Sequence, residues 1–160
     1  MIKVLFVCLG NICRSPMAEA IMRHEIRLAH LETKITVDSA GTANWHEGNP
    51  PHQGTREKLD EVKVSYEGMK ARQINHTDFH EFDYIITMDD SNMSDLKMEF
   101  DISDKVHISK LMDFVDDPKE TNVPDPYFTG DFNYTYELVT EACAQLLAFI
   151  QAKHHIYGGE

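Results

Sequence analysis

An apolar, largely β-branched run from Ile2 to Val7, interrupted only by Lys3, ends at Cys8, and eight residues later Pro16 opens a helical pattern. A run of that kind suits a strand buried on both faces, as strands of parallel sheets are. Beyond Pro16 the apolar residues Ala18, Ala20, Ile21, Met22, Ile26, Leu28 and Ala29 recur at helical spacing. Ser15 is the expected N-cap and Pro16 the expected first helical residue. Residues 8–15 must therefore turn a buried strand into a helix. Such a loop leaves backbone N–H groups unpaired at the helix start, and the helix dipole adds positive potential at the same point. The expected product is an anion site at the carboxyl end of a strand.

The residues of the loop suit that site. Converging amides and the Arg14 guanidinium both stabilise the thiolate of a cysteine placed there, which makes Cys8 a nucleophile near neutral pH. Five residues between Cys8 and Arg14 allow Leu9, Gly10, Asn11, Ile12 and Cys13 to curl their amides around three phosphate oxygens. The Arg14 fork then holds two of those oxygens. Gly10 permits close backbone approach, and Asn11 tolerates a left-handed conformation. Ser15 is placed to donate a hydrogen bond to the sulfur. A cysteine ending a buried strand is more often a small hydrophobe, and only the combination of glycine, asparagine, arginine, serine and proline favours chemistry.

The remaining chain bounds the alternatives. Its 160 residues, 42% of them hydrophobic, suit one domain with a full core, with a flexible tail expected from about residue 154. A net charge of −12 disfavours nucleic acid and anionic membranes as partners. The N-terminal apolar run is too short for a secretory signal and no stretch approaches a membrane span, so the cytoplasm is the expected location. Three cysteines, Cys8, Cys13 and Cys143, do not make a disulfide framework. Cys143 falls on the apolar face of the last helix, and Cys8 with Cys13 lacks the second ligand pair a zinc site needs.

Short strands are expected at Lys34–Asp38, Phe82–Met88 and Lys105–Ile108, and helices from Pro50 to about Val62, over Met93–Phe100 and over Asp131–Lys153. Alternating strands and helices imply an α/β fold with a parallel sheet covered on both faces, and ligands beyond the strands' carboxyl ends. Cys8, Ser39 and Asp89 all emerge there. Val123 to Phe128 is too rich in proline for a helix or an internal strand and reads as a surface loop. A thiolate–arginine site lacks a proton donor for a leaving oxygen, and Asp125 on this loop is the best-placed carboxyl.

The stretches VCLGNICRS, DSAGT, KARQ at Lys70 to Gln73, FDYIITMD and PDPY occur in order along nearly the whole chain. In these the chain resembles the low-molecular-weight protein tyrosine phosphatases. The resemblance implies a three-layer flavodoxin-like fold with a four-stranded parallel sheet flanked by helices, and a two-step reaction without metal or cofactor. It implies that Cys8 attacks phosphorus, Arg14 clamps the equatorial oxygens, and Asp125 serves as acid and then as base. Ser15 assists the sulfur, and Asn11 with Ser39 shapes the loop. Trp45, Tyr127 and Phe128 match the pocket walls, Phe128 standing where a tyrosine is often found. The family's arginine-phosphate phosphatases carry threonine where this chain has Ile12, which favours a phenyl ester. Cys13 resembles a second loop cysteine able to pair with an oxidised Cys8. The expected partners are tyrosine-phosphorylated proteins, with inorganic phosphate as product and competing ligand, and the expected state is a monomer.

One departure concerns Met69, where many members have a histidine in the network supporting the loop; His76 is nearby but does not match that position. A thiol-dependent arsenate reductase would need further cysteines, and residues 78–95 contain none. A mere phosphate-binding module would not need Asp125.

Overall fold

The computed structural model describes residues 1–102 and 105–158. Four strands form one wholly parallel sheet, β1 (Ile2–Cys8), β2 (Ile35–Gly41), β3 (Tyr84–Thr87) and β4 (His107–Lys110), in the order β2-β1-β3-β4. The long helices are α1 (Arg14–Leu28), α2 (Gln53–Glu61), α4 (Asp90–Glu99) and α6 (Phe132–His154), with single-turn helices α3 (Asp78–Glu81) and α5 (Pro126–Thr129). This is the expected α/β fold with a four-stranded parallel sheet flanked by helices.

Strand alternation explains how one central strand serves two cores. Val4, Phe6 and Cys8 of β1 face a core shared with α1 and α6, including Met17, Ile21, Val139 and Leu146. Leu5 and Val7 face the opposite core with Ile74, Phe79, Ile85 and Leu96. Successive strand residues point to opposite faces, so β1 is apolar throughout. Val4, Leu5, Phe6 and Val7 are fully buried, each contributing about 1.5–3 kcal/mol of hydrophobic stabilisation. The most deeply held part of the sheet thus carries Cys8. Cys143 is buried in the same core as α1, as expected from its helical face.

Several local expectations change: α2 begins at Gln53 rather than Pro50, α4 at Asp90 rather than Met93, β3 spans Tyr84–Thr87 rather than Phe82–Met88, and the turn of α3 was not expected. Helix α1 begins at Arg14 with Cys13 at the N-cap position, two residues before Pro16, and Ser15 does not cap it because its hydroxyl is engaged by the loop. Pro16 falls at the third helical position, where a missing N–H still costs no hydrogen bond. Strand β4 begins two residues later than expected, and Ser103 and Asp104 just before it lie outside the described residues. The proline-rich segment, read as a loop, contains the turn of α5. Pro126 is its first helical residue and Asp125 its N-cap, whose carboxylate accepts from the Tyr127 amide at 3.1 Å. A proline is well tolerated at that first position.

At the chain end, the Ile156 amide donates to the Gln151 carbonyl and Lys34 Nζ to the Tyr157 carbonyl; Gly159 and Glu160 lie outside the described residues. Among the described residues no helix is long and apolar enough to cross a membrane.

Candidate active site

Strands β1 and β2 end side by side, with Cys8 opposite Gly41. Their ladder continues into the loops, Thr42 donating to the Cys8 carbonyl at 2.9 Å and Ala43 to the Leu9 carbonyl at 3.0 Å. Approach at Gly41 is so close that a Cβ there would lie 2.8 Å from the Leu9 carbonyl oxygen. The loop is therefore held by main chain on its β2 side.

Asn11 takes the left-handed conformation expected of it, with φ of 56°. Its amide nitrogen donates to Ser15 Oγ at 2.8 Å and to Ser39 Oγ at 2.9 Å, while its carbonyl accepts from the Arg72 backbone N–H at 3.0 Å. Ser39 in turn donates to Glu19 at 2.6 Å. Ser15 Oγ, which accepts from Asn11, lies 3.0 Å from Cys8 Sγ in a contact where either group can donate, and its hydroxyl also reaches the Ala40 carbonyl at 3.4 Å. Towards a Cys8 thiolate, which carries no proton, the hydroxyl is the donor. The Asn11 backbone N–H also points at the sulfur, at 3.3 Å. Among the described residues the N–H groups of Gly10, Ile12 and Cys13 have no acceptor in the protein.

The two loop cysteines are electrostatically different. Burial first, then the nearby Cys8 and Asp125 charges, push Cys13 up to about 12, so it remains a neutral thiol. Arg14 is 2% exposed. Burial works against its charge, but Cys8, Asp89 and Asp125 outweigh that and hold its pKa above the ordinary value. The guanidinium donates to Asp89 at 2.6 Å, to the Val123 carbonyl at 2.9 Å and to Asp125 at 3.3 Å. Its buried Nε–H has no protein acceptor. Asp89 also caps α4 by accepting from the Asn92 amide at 2.8 Å, so one carboxylate ties the third strand's helix to Arg14.

Around the sulfur lies a pocket of about 140 Å³ lined by Cys8, Leu9, Gly10, Ile12, Cys13, Trp45, His46, Asp125, Tyr127 and Phe128. Cavities of about 150 Å³ with apolar walls take up benzene, so one aromatic ring fits. Cys8, Asp125 and the three aromatic side chains named from sequence meet in this pocket, with Arg14 beneath. Asn11, Ser15 and Ser39 stand behind it as support.

Four contributors were not assigned roles from sequence. Glu19 closes the support chain; burial raises its pKa, opposed by the Ser39 hydroxyl and by Arg23, which pairs with it one helical turn away. Asp89 aims Arg14. Arg72 is clamped between Asp38 and Asp78, fixing the backbone N–H that holds Asn11. His46 lines the pocket. Met69 packs in the core, and the support network closes through Arg23 and the Arg72 main chain instead of a side chain at that position. His76 makes an edge contact with Phe100, away from the pocket lining.

Fold and site together define an α/β protein with a cysteine–arginine loop at the carboxyl end of its central strand and a carboxylate on a separate loop. The profile described as low molecular weight phosphotyrosine protein phosphatase matches residues 3–155. The chain is 50% identical over 156 residues to the low molecular weight protein-tyrosine-phosphatase YfkJ of Bacillus subtilis, covering 98% of this chain and 100% of YfkJ. The crystal structure of YfkJ superposes with a TM-score of 0.93 at 51% identity over 96% of each chain. Identity to the low molecular weight protein-tyrosine-phosphatase PtpA of Staphylococcus saprophyticus is 45% over 150 residues, 94% of each chain. A Drosophila arginine phosphatase, DARP, superposes with a TM-score of 0.86 at 35% identity, covering 94% of this chain and 98% of its own. The chain belongs to the low-molecular-weight protein tyrosine phosphatase family.

Proposed function

We propose that the protein hydrolyses phosphotyrosine in proteins in two steps through a phosphocysteine at Cys8, without a metal. In the first, the Cys8 thiolate bonds to phosphorus, the bond from phosphorus to the aryl oxygen breaks, and Asp125 gives its proton to the departing phenolate. In the second, Asp125 takes a proton from water as the water oxygen bonds to phosphorus. The sulfur–phosphorus bond breaks, restoring the thiolate and releasing inorganic phosphate, which as product also competes for the site.

The observation that carries this reading is the convergence of Cys8 and Asp125 on one pocket with Arg14 bonded to Asp125 at 3.3 Å. The free amides of Gly10, Ile12 and Cys13 and the unpartnered Arg14 Nε–H are donors suited to equatorial phosphoryl oxygens, whose charge such donors stabilise in the transition state. The Ser15 hydroxyl steadies the sulfur both as nucleophile and as leaving group. Cys13 in the same pocket is the thiol we assign to trap a Cys8 sulfenic acid as a disulfide with loss of water.

Family membership leaves the phosphate ester open, since one close structural neighbour is an arginine phosphatase. Ile12 on the pocket wall, with Trp45, Tyr127 and Phe128 around the mouth, favours an aryl ester over a guanidinium. We place the enzyme in the cytoplasm as a single-domain monomer. Peptides carrying phosphotyrosine, phosphoserine or phosphoarginine, assayed side by side with a chelator present, test the reading. Phosphotyrosine is expected to be cleaved fastest and Cys8→Ser to be inactive. Faster cleavage of phosphoarginine, or loss of activity on chelation, would overturn the substrate or the metal-independent part respectively.

A further inference from the structure

Asp125 rides on a turn that buries little of itself. Of the residues of α5 only Pro126 is buried, while Tyr127, Phe128 and Thr129 are exposed. Gly130 ends the turn in the left-handed conformation and Asp131 at once caps α6. The Asp125 carboxylate itself reaches Arg14 and the Tyr127 amide. A proton donor must meet the leaving oxygen within hydrogen-bond reach, so the backbone that carries it needs anchors beyond the carboxylate.

A row of rings supplies one. Phe132, the first residue of α6, stacks on His52 with ring centroids 5.1 Å apart and planes at 20°. His52 in turn meets Tyr127 edge-on at 5.9 Å and 79°. Both are geometries that aromatic rings favour. The row is tied to the cysteine–arginine loop twice: Phe132 packs against Ile12 and Cys13, and the His52 backbone N–H donates to the Ile12 carbonyl at 2.7 Å. His52 is also fixed at its side chain, where Nδ1 accepts from the Gly54 N–H at 3.0 Å and caps α2. Gly54 leaves the space the stack needs, since a Cβ there would run into the Phe132 ring. From the same first turn of α6 the Thr135 hydroxyl reaches the Pro124 carbonyl at 3.3 Å, so α6 grips the chain on both sides of Asp125. Neither His52 nor Phe132 lines the pocket, and the stack acts on the reaction only through what it holds.

We propose that the Phe132–His52 stack is a positioning device for proton transfer: by bracing Tyr127 against the loop it fixes the turn that carries Asp125 where its carboxyl meets the leaving oxygen. This rests on the reading of Asp125 as general acid. Three variants separate the ring from its other duties. His52→Asn removes the ring and keeps a good helix cap, His52→Phe keeps a ring and removes the cap, and Phe132→Leu keeps an apolar side chain against the loop and removes the stack.

The experiment measures kcat/KM for phenyl phosphate, whose leaving group needs a proton, and for p-nitrophenyl phosphate, whose leaving group needs one less, with the inhibition constant of inorganic phosphate. His52→Asn and Phe132→Leu are expected to lose about tenfold on phenyl phosphate and less than about threefold on p-nitrophenyl phosphate, the scale of a displaced catalytic group. Phosphate inhibition should not change, because Arg14 and the loop amides stay in place. His52→Phe should remain within about twofold of wild type on both esters, and in an Asp125→Ala background His52→Asn should add less than about twofold, because the group it positions is gone. Wild-type activity of His52→Asn on phenyl phosphate, equal losses on both esters, phosphate inhibition weakened in step with the loss, or an undiminished effect in the Asp125→Ala background each overturns the proposal and leaves Asp125 as the acid. If Asp125→Ala alone costs nothing on phenyl phosphate, the general-acid reading falls and this proposal with it.

Discussion

At the scale of single residues, the site separates two thiols a few residues apart by environment. Cys8 accepts from the Asn11 backbone N–H and lies 3.0 Å from the Ser15 hydroxyl, whereas Cys13 is buried beside negative charge and pushed up to about 12. Iodoacetamide at pH 7.5 is therefore expected to label Cys8 and leave Cys13 and Cys143 unmodified, with inorganic phosphate protecting Cys8; peptide mass mapping reads the result, and labelling of Cys13 first would contradict it. Asp125→Ala should slow hydrolysis of phosphotyrosine by about 10²- to 10⁴-fold, as loss of a general acid does. The loss should be smaller for p-nitrophenyl phosphate, whose leaving group needs less help. Equal losses with both esters in steady-state kinetics would point to a structural role for Asp125.

Between elements, the loop depends on contacts that no local pattern announces. The strand ending at Cys8 and the loop leading into a helix could be read because they lie next to each other in sequence, although the helix starts at Arg14, two residues before the start that Ser15 and Pro16 suggested. Asn11 could be read because few residues accept its backbone conformation. Glu19, Asp89 and Arg72 could not, because each acts on a partner brought near by the parallel crossovers. Chemical need singles out Asp125 as the proton donor we propose, but its setting was not legible: proline content suggested a loop, whereas Pro126 starts a helical turn that Asp125 caps. The two-residue shift in β4 belongs to the same class, since pairing with β3 and not local composition sets where an edge strand begins.

Gly41 shows how tightly β2 and the loop are joined. Gly41→Ala would drive a methyl to 2.8 Å from the Leu9 carbonyl oxygen, which is backbone and cannot swing aside. Activity on aryl phosphates should fall more than tenfold and the thermal midpoint by several degrees, in line with overpacking costs of about 1–3 kcal/mol. Wild-type activity in that variant would show that the loop tolerates displacement from β2. Asp89→Asn should raise KM and lower kcat together, because Arg14 loses its shortest anchor; unchanged kinetics would mean that Val123 and Asp125 suffice to aim it.

For the whole molecule, the buried thiols make stability fall in alkali. Cys13 and Cys143 are both raised by burial, Cys13 from 9.0 to about 12. Above pH 9 the unfolded chain releases these protons while the folded one keeps them, so the native state is disfavoured as pH rises. The stabilisation is complete below pH 9 and lost progressively towards pH 12, the loss reaching about 1.4 kcal/mol for Cys13 at pH 10. Comparison of thermal midpoints at pH 8 and pH 10 should show a smaller drop in Cys13→Ser than in the wild type; an equal drop would assign the alkaline loss to other groups.

The central claim is that phosphate passes through the sulfur of Cys8. The most direct measurement is phosphorus-31 NMR of Asp125→Ala, denatured at alkaline pH during turnover of p-nitrophenyl phosphate, followed by peptide mapping. A phosphorus bonded to sulfur and mapped to Cys8 is the predicted result. A phosphoryl group on any other residue, or full turnover by Cys8→Ala, would contradict it.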